Sequence, residues 1–297
     1  MSWLNQQERG SKVLIWLITW VALRMGRGVA RLFLYPICFY FLALSRHARH
    51  ASRQYLRRAL QRNVGIKDVF HHYHCFASTI LDRVFLLTNQ RELFDIQIHG
   101  AELVLEQIEK GRGCILLGAH LGSFEVMRNA AIADSQMPIK VLMYEDNARK
   151  VMELARHLNP AVVDTIIPVG SLESMLQAKA HLDQGGPVGL LGDRLMKHDR
   201  VVPCTFLGGQ AVFPAGPMLL AATTSVPVVL CFGLYRGGNR YDIHCELLAE
   251  RIEVSSPRRS EELRHWTQRY ADRLEHYCRL APYNWFNFYD FWASPTR

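Results

Sequence analysis

GCILLGAHLGSFEVMRN, residues 113–129, passes from an apolar run through two glycines into a histidine and then a glutamate. Cys114 to Leu117 is too short an apolar run for a helix and is bounded by glycine, so it reads as a buried strand, with Glu125 falling in the first turn of the helix that follows. The same texture recurs on both sides. FDIQIH (94–99), IKVLMY (139–144), TIIPVG (165–170), VGLLGD (188–193) and VPVVLCFGLY (226–235) are short apolar runs separated by helical patterns. Strands alternating with helices of this length predict an α/β fold with a mixed, largely parallel central sheet flanked by helices. No internal repeat and no low-complexity tract interrupts it.

Upstream the pattern changes. In residues 68–89, Val69, Tyr73, Phe76, Ile80, Val84 and Leu87 recur at three- and four-residue spacing, an amphipathic helix. Residues 1–62 hold eleven Lys/Arg against the single acid Glu8, a net +10; because the whole chain is +8, residues 63–297 carry −2. The basic segment also contains the longest apolar runs, VLIWLITWVAL (13–23) and LFLYPICFYFLAL (32–44), separated by RMGRGVAR. Neither run alone reaches the roughly 18–20 uncharged residues that span a bilayer comfortably. The reading is therefore an N-terminal helical segment, residues 1–62, that associates with membrane as a tilted or re-entrant pair or an interfacial anchor, followed by an α/β domain over 63–297. Arginines beside Trp-rich apolar helices attract anionic lipid. A cleaved signal peptide is disfavoured, because basic residues continue past the apolar run and no small-residue cleavage site follows. Nucleic acid is disfavoured too, since the aromatics lie within the apolar runs and no binding motif accompanies the arginines.

Several chemistries are excluded by what the motifs lack. The seven cysteines are scattered without a CxxC pair, which speaks against a disulfide scaffold or a zinc knuckle. His71, His72, His74 and Cys75 share a helix, but no second ligand pair follows, so a polar helix face is expected there and no metal. GxxxxGK[ST], a strand-borne GxGxxG and GxSxG are all absent.

That leaves His120 and Glu125. With 13 histidines and 27 acids in 297 residues, about one His is expected by chance to have an acid five positions on, so spacing alone is weak; only His120 has one. Its place is stronger, because α/β folds present ligand-facing groups at the carboxyl ends of strands. In a continuous helix five residues turn through about 500°, so a turn after His120 is required to bring the two side chains together. With that turn, Glu125 would accept from one ring nitrogen and stabilise the imidazolium, while the other nitrogen takes a proton from an attacking hydroxyl. Gly118 and Gly122 would let the backbone turn and a substrate approach, and N–H groups near Gly122 and Ser123 are candidates for holding an oxyanion.

GAHLGSFE resembles the first block of the glycerolipid acyltransferase superfamily, and especially its bacterial branch of late lipid A biosynthesis acyltransferases. VGLLGDR (188–194) is similar to the stretch carrying that family's second acidic position, residues 202–232 to its FLG–FPxGP–helix–strand segment, residues 13–62 to its basic apolar anchor, and APYNWFNFYDFW (281–292) to its aromatic end. The resemblance covers most of the chain. It implies a membrane-associated O-acyltransferase at the cytoplasmic face of the bacterial inner membrane, moving a fatty acyl chain from an acyl carrier protein thioester to a hydroxyl of a lipid A-like glycolipid or related acceptor. The implied partners are the acyl carrier protein, anionic lipid and the acceptor, with no metal or redox cofactor. Carried over by position, His120 and Glu125 are the catalytic pair, and Asp193 with Arg194 the substrate-binding pair that organises a phosphate; a structural Asp–Arg pair is the competing reading. The family's intervening arginine falls on Arg149 or Arg156. FPAGP reads as helix-start punctuation with a substrate contact from Phe213 left open, and the aromatic end as core or interfacial surface. The EGTR block of phosphate-reading glycerol-3-phosphate-type relatives is missing, with GDRLMKHDR (192–200) near its place, which disfavours lysophosphatidate as acceptor and favours a glycolipid or another amphipathic hydroxyl compound. The alternatives are a thioesterase or esterase using the same pair on water, a lysophospholipid acyltransferase, and a lipid-binding scaffold, which would be expected to have lost one of the pair.

Overall fold

The computed structural model describes residues 12–134, 139–143, 153, 155–196, 199–255 and 257–292. Seven strands form one sheet in the order β1-β9-β8-β2-β5-β3-β4, comprising β1 (Asp95–His99), β2 (Ile115–Gly118), β3 (Lys140–Met143), β4 (Ile166–Pro168), β5 (Val188–Leu191), β8 (Val228–Tyr235) and β9 (Arg240–Ala249). Every neighbouring pair is parallel except the β8/β9 hairpin. The expected mixed, largely parallel sheet is present, and all six apolar runs are strands within it. A separate antiparallel hairpin, β6 (Val201–Phe206) with β7 (Gly209–Pro214), completes the strands.

Continuous apolar runs are what strands covered on both faces require. In β2, Ile115 and Leu117 point into one core with Leu230, Phe232, Tyr270, Leu274 and Trp285, while Leu116 and, just before the strand, Cys114 point into the other with Leu81, Val84, Phe85, Val126 and Val141. The first core is roofed by α9 (Arg259–Leu280), by the hairpin, and by Tyr55 and Leu56 of α2 (Arg46–Leu60). The second lies under α3 (Ile66–Leu87) and α5 (Phe124–Asp134). The remaining helices are α4 (Glu102–Glu109), the single turn α6 (Pro160–Val163), α7 (Leu172–Asp183) and α8 (Gly216–Thr224).

The two N-terminal apolar runs join in α1 (Lys12–Leu44), which is broken at Gly26, where the backbone leaves helical geometry. Among the described residues, Trp16–Leu44 is the one helix long and apolar enough to cross a membrane. It is a candidate anchor, yet it is also fastened to the α/β core. Ala30, Leu34, Cys38 and Leu42, at four-residue spacing, are buried, while Trp20, Leu32, Phe39, Tyr40 and Leu44 are exposed. Arg27 grips the fully buried Asp82 of α3 through Nε at 2.7 Å and Nη2 at 2.9 Å, and the Tyr241 hydroxyl donates to the same carboxylate at 2.7 Å. Arg31 donates to the Tyr235 hydroxyl at 2.9 Å. Two of the basic residues read from sequence as lipid-facing thus hold the helix to the domain.

Candidate active site

β2 and β5 are parallel neighbours, so the residues just beyond their carboxyl ends, His120 and Asp193, meet although 73 positions separate them. The turn after β2 depends on Gly122, whose φ is +72° and whose Cβ, if present, would stand 1.9 Å from the Gly233 carbonyl oxygen. No side chain fits that approach, so glycine is required where the strand becomes helix α5. Gly118 serves close packing between strands instead: a Cβ there would lie 3.0 Å from the Cys231 carbonyl oxygen.

His120 Nδ1 lies 2.8 Å from Asp193 Oδ1, and the His120 backbone N–H donates to the same oxygen at 3.1 Å. The second oxygen, Oδ2, accepts from Trp285 Nε1 and from Asn287 Nδ2, each at 2.9 Å. Asp193 has no exposed side-chain surface, whereas that of His120 is 29% exposed. Burial pushes the Asp193 carboxyl up, but His120, Arg194 and the His120 amide outweigh it and hold it at about 2. An ionised carboxylate only accepts, so the His120 proton sits on Nδ1 and the Nε2 lone pair is left for a reacting proton. Burial, then the charges of Arg194 and Arg83, lower the His120 pKa against the opposing pull of Asp193. The imidazole is therefore neutral at physiological pH, the state a general base needs.

The carboxylate that orients His120 is thus Asp193, and the hydrogen bond expected from Glu125 is not formed among the described residues. Glu125 lies in the first turn of α5 as expected, but its Oε1 is taken by Arg128 one turn on, through Nε at 2.6 Å and through Nη2, and its Oε2 stands 4.0 Å from Arg83 Nε. Arg83 comes from α3, and its Nε is buried with no hydrogen-bond partner. Asp193 is not placed to organise a phosphate either, since a buried anion with both oxygens filled repels one. Arg194 acts on Asp193 through its charge; its Nε donates to Asn287 Oδ1 at 2.8 Å and its Nη2 to the Phe286 carbonyl at 3.0 Å. Nor are the Gly122 and Ser123 amides open to an oxyanion: the first donates to the Asn284 carbonyl at 2.8 Å and the second to that of Gly233 at 2.7 Å.

The C-terminal aromatic stretch is wired into the site. Phe286 N–H donates to the His120 carbonyl at 2.7 Å, Leu121 bridges to Trp285, and Trp285 is fully buried. Below it, His72 is also fully buried, so of the residues expected on a polar helix face His71 is exposed but His72 and Cys75 are not. Its Nε2 must donate to the Trp285 carbonyl at 2.9 Å, so its Nδ1 accepts from the Ser52 hydroxyl at 2.8 Å. Phe213 has no exposed surface and packs edge-on against Phe206 and Tyr270, a core residue; Pro217 opens α8 as helix punctuation. Arg156 is exposed and Arg149 lies outside the described residues. Arg83, Arg128, Trp285 and Asn287 were not singled out from sequence. Only the aromatic end offered a signal, as a run of polar Asn residues between large rings.

A neutral imidazole aimed by a buried carboxylate at the carboxyl end of an α/β sheet is an arrangement able to take a proton from a hydroxyl. The chain belongs to the bacterial lipid A biosynthesis acyltransferase family, whose family model matches residues 12–294. None of the curated proteins compared with it matches. Membership makes it a lipid acyltransferase, and the apolar helix α1 suggests membrane association.

Proposed function

We propose that this acyltransferase moves a fatty acyl chain from an acyl carrier protein thioester to a hydroxyl of a lipid A-like glycolipid, with His120 as general base. The observation that carries the reading is the His120 Nδ1 to Asp193 Oδ1 contact at the mouth of a parallel sheet. The acceptor oxygen attacks the thioester carbonyl carbon while His120 Nε2 takes its proton. The tetrahedral intermediate collapses, the C–S bond breaks, and the imidazolium returns the proton to the departing carrier thiolate. Asp193 orients the ring and stabilises its charged form, and Trp285 and Asn287 hold Asp193. Arg83, whose charge reaches His120 and whose Nε has no hydrogen-bond partner, is assigned the developing oxyanion, with Glu125 holding Arg83 by charge and Arg128 by hydrogen bonds. Arg194, beside the base, is assigned the donor or acceptor phosphate.

The lipid enters from the bilayer. The exposed stripe of α1 supplies an apolar face, and Arg24, Arg46 and Arg57 are exposed cations available to anionic headgroups at the cytoplasmic face of the inner membrane. The test is a labelled acyl carrier thioester mixed with a lipid A precursor and the detergent-solubilised protein. Label should appear in the glycolipid, dependent on protein and acceptor. Label released as free fatty acid with acceptor in excess would make the protein a hydrolase, and label carried only into lysophospholipid would replace the acceptor class.

A further inference from the structure

At the sheet edge away from His120 lies a second group of chemistry-bearing side chains that acyl transfer does not use. β1 runs parallel to β9 with His99 opposite His244 and Gln97 opposite Asp242. Side chains alternate along a strand, so Gln97 and His99 share one face with Asp242 and His244, while Ile96, Ile98, Tyr241 and Ile243 pack into the core beneath. Among the described residues, His99, Asp242 and His244 offer ligand atoms that all lie within 4.8 Å of one another. The two rings stack at 4.7 Å with 17° between planes.

Three features make this more than a polar edge. His244 Nε2 is shut off from water and has no hydrogen-bond partner, a state that costs about 1–3 kcal/mol when nothing relieves it. Arg236 Nε holds Asp242 Oδ2 at 2.7 Å, which fixes the carboxylate and leaves Oδ1 to another partner. Next to His99, Gly100 brings the backbone against β9: its φ is +79° and a Cβ there would stand 2.2 Å from the Cys245 carbonyl oxygen.

We propose that His99, Asp242 and His244 bind a divalent transition-metal ion of the zinc type. Two imidazoles and one carboxylate suit zinc, cobalt or nickel, whereas magnesium and calcium select oxygen ligands throughout. Tetrahedral bonds of about 2.0 Å set ligand atoms about 3.3 Å apart, a contraction that side-chain rotation on the exposed His99 can supply. The fourth position is filled by water from the adjoining cleft of about 440 Å³, lined by Asp95, Gln97, Arg236, Arg240 and Asp242. An ion here ties the edge strand β1 to β9, its one neighbour in the sheet, and so stabilises the fold by binding the native state.

The test uses the full chain in detergent, stripped with chelator and titrated with Zn²⁺ against a chelating dye, beside His99→Gln and His244→Ala. Because His47 and His50 on α2 can also take zinc, the readout is the difference between proteins. Each variant should bind one equivalent less than wild type and lose the zinc-dependent rise in Tm, with acyl transfer by the stripped proteins unchanged. His99 is exposed, so His99→Gln carries the test if His244→Ala fails to fold. Equal zinc stoichiometry and affinity in wild type and His99→Gln, or binding confined to millimolar zinc, an adventitious ion only, would overturn the site.

Discussion

His120 and Asp193 make the sharpest residue-scale prediction. His120→Ala removes the base and should lower transfer by roughly 10²–10⁴-fold with little loss of stability, because the ring is partly exposed. Asp193→Asn should do comparable damage, since an amide cannot serve four donors at once or stabilise an imidazolium. The pH profile separates roles. In wild type the acidic limb of kcat/KM should have its midpoint below 6.5, the ordinary histidine value, because burial and the nearby arginines lower the His120 pKa. Glu125→Gln should reduce the rate without moving that limb, and Asp193→Asn should move it. A limb shifted by Glu125→Gln and untouched by Asp193→Asn would return the orienting role to Glu125. Sequence shows His120 because a histidine just past a buried strand is visible in one dimension. Its partner is not visible there. Adjacency of β2 and β5 chooses Asp193 from 73 positions away, while Glu125, at a tempting offset, answers to Arg128 one helical turn along.

Elements buried on both faces are legible, and those buried on one face are less so, with β1, an alternating edge strand, the exception. The six apolar runs are all sheet strands, whereas β6, β7 and β9 alternate and were not read as strands; Pro203 further disguises β6. The hairpin turn at Leu207 and Gly208 has both residues at positive φ, but leucine stands where such turns usually carry Asn, Asp or Gly, so the turn is hidden as well. Helix α1 is legible as apolar, but its fastening is not, since Arg27 looks like one more basic residue until Asp82 of α3 is brought against it. The prediction at this scale follows from that pair. Arg27→Met leaves a fully buried carboxylate whose remaining side-chain partner is Tyr241, and should destabilise the protein by about 3–5 kcal/mol in denaturant titration. Arg27→Met with Asp82→Leu should recover most of the loss. A loss below about 1 kcal/mol for the single variant would show the clamp to be a surface pair in solution.

At the scale of the whole molecule, stability should depend on pH through His72, which joins α2, α3 and the C-terminal stretch. Burial lowers its pKa to about 3. Between that value and the unfolded value of 6.5 the unfolded chain binds a proton that the native chain refuses, so stability is full above about pH 6.5 and declines as pH falls toward 3. The slope from this one residue is about 1.4 kcal/mol per pH unit, and His72→Gln should flatten it. An acid limb unchanged in the variant would mean that His72 is not the group responsible.

The Trp285 and Asn287 donors to Asp193 also set an order in time. A ribosome delivers β2 and β5 long before residues 285–287, so a nascent chain can pair its strands while the central carboxylate still lacks two of its four hydrogen bonds. Until those last donors arrive, keeping Asp193 charged and dry is unfavourable and the base is not aimed. An incomplete translation product that ends before Trp285 would therefore carry His120 without the fully held carboxylate beside it.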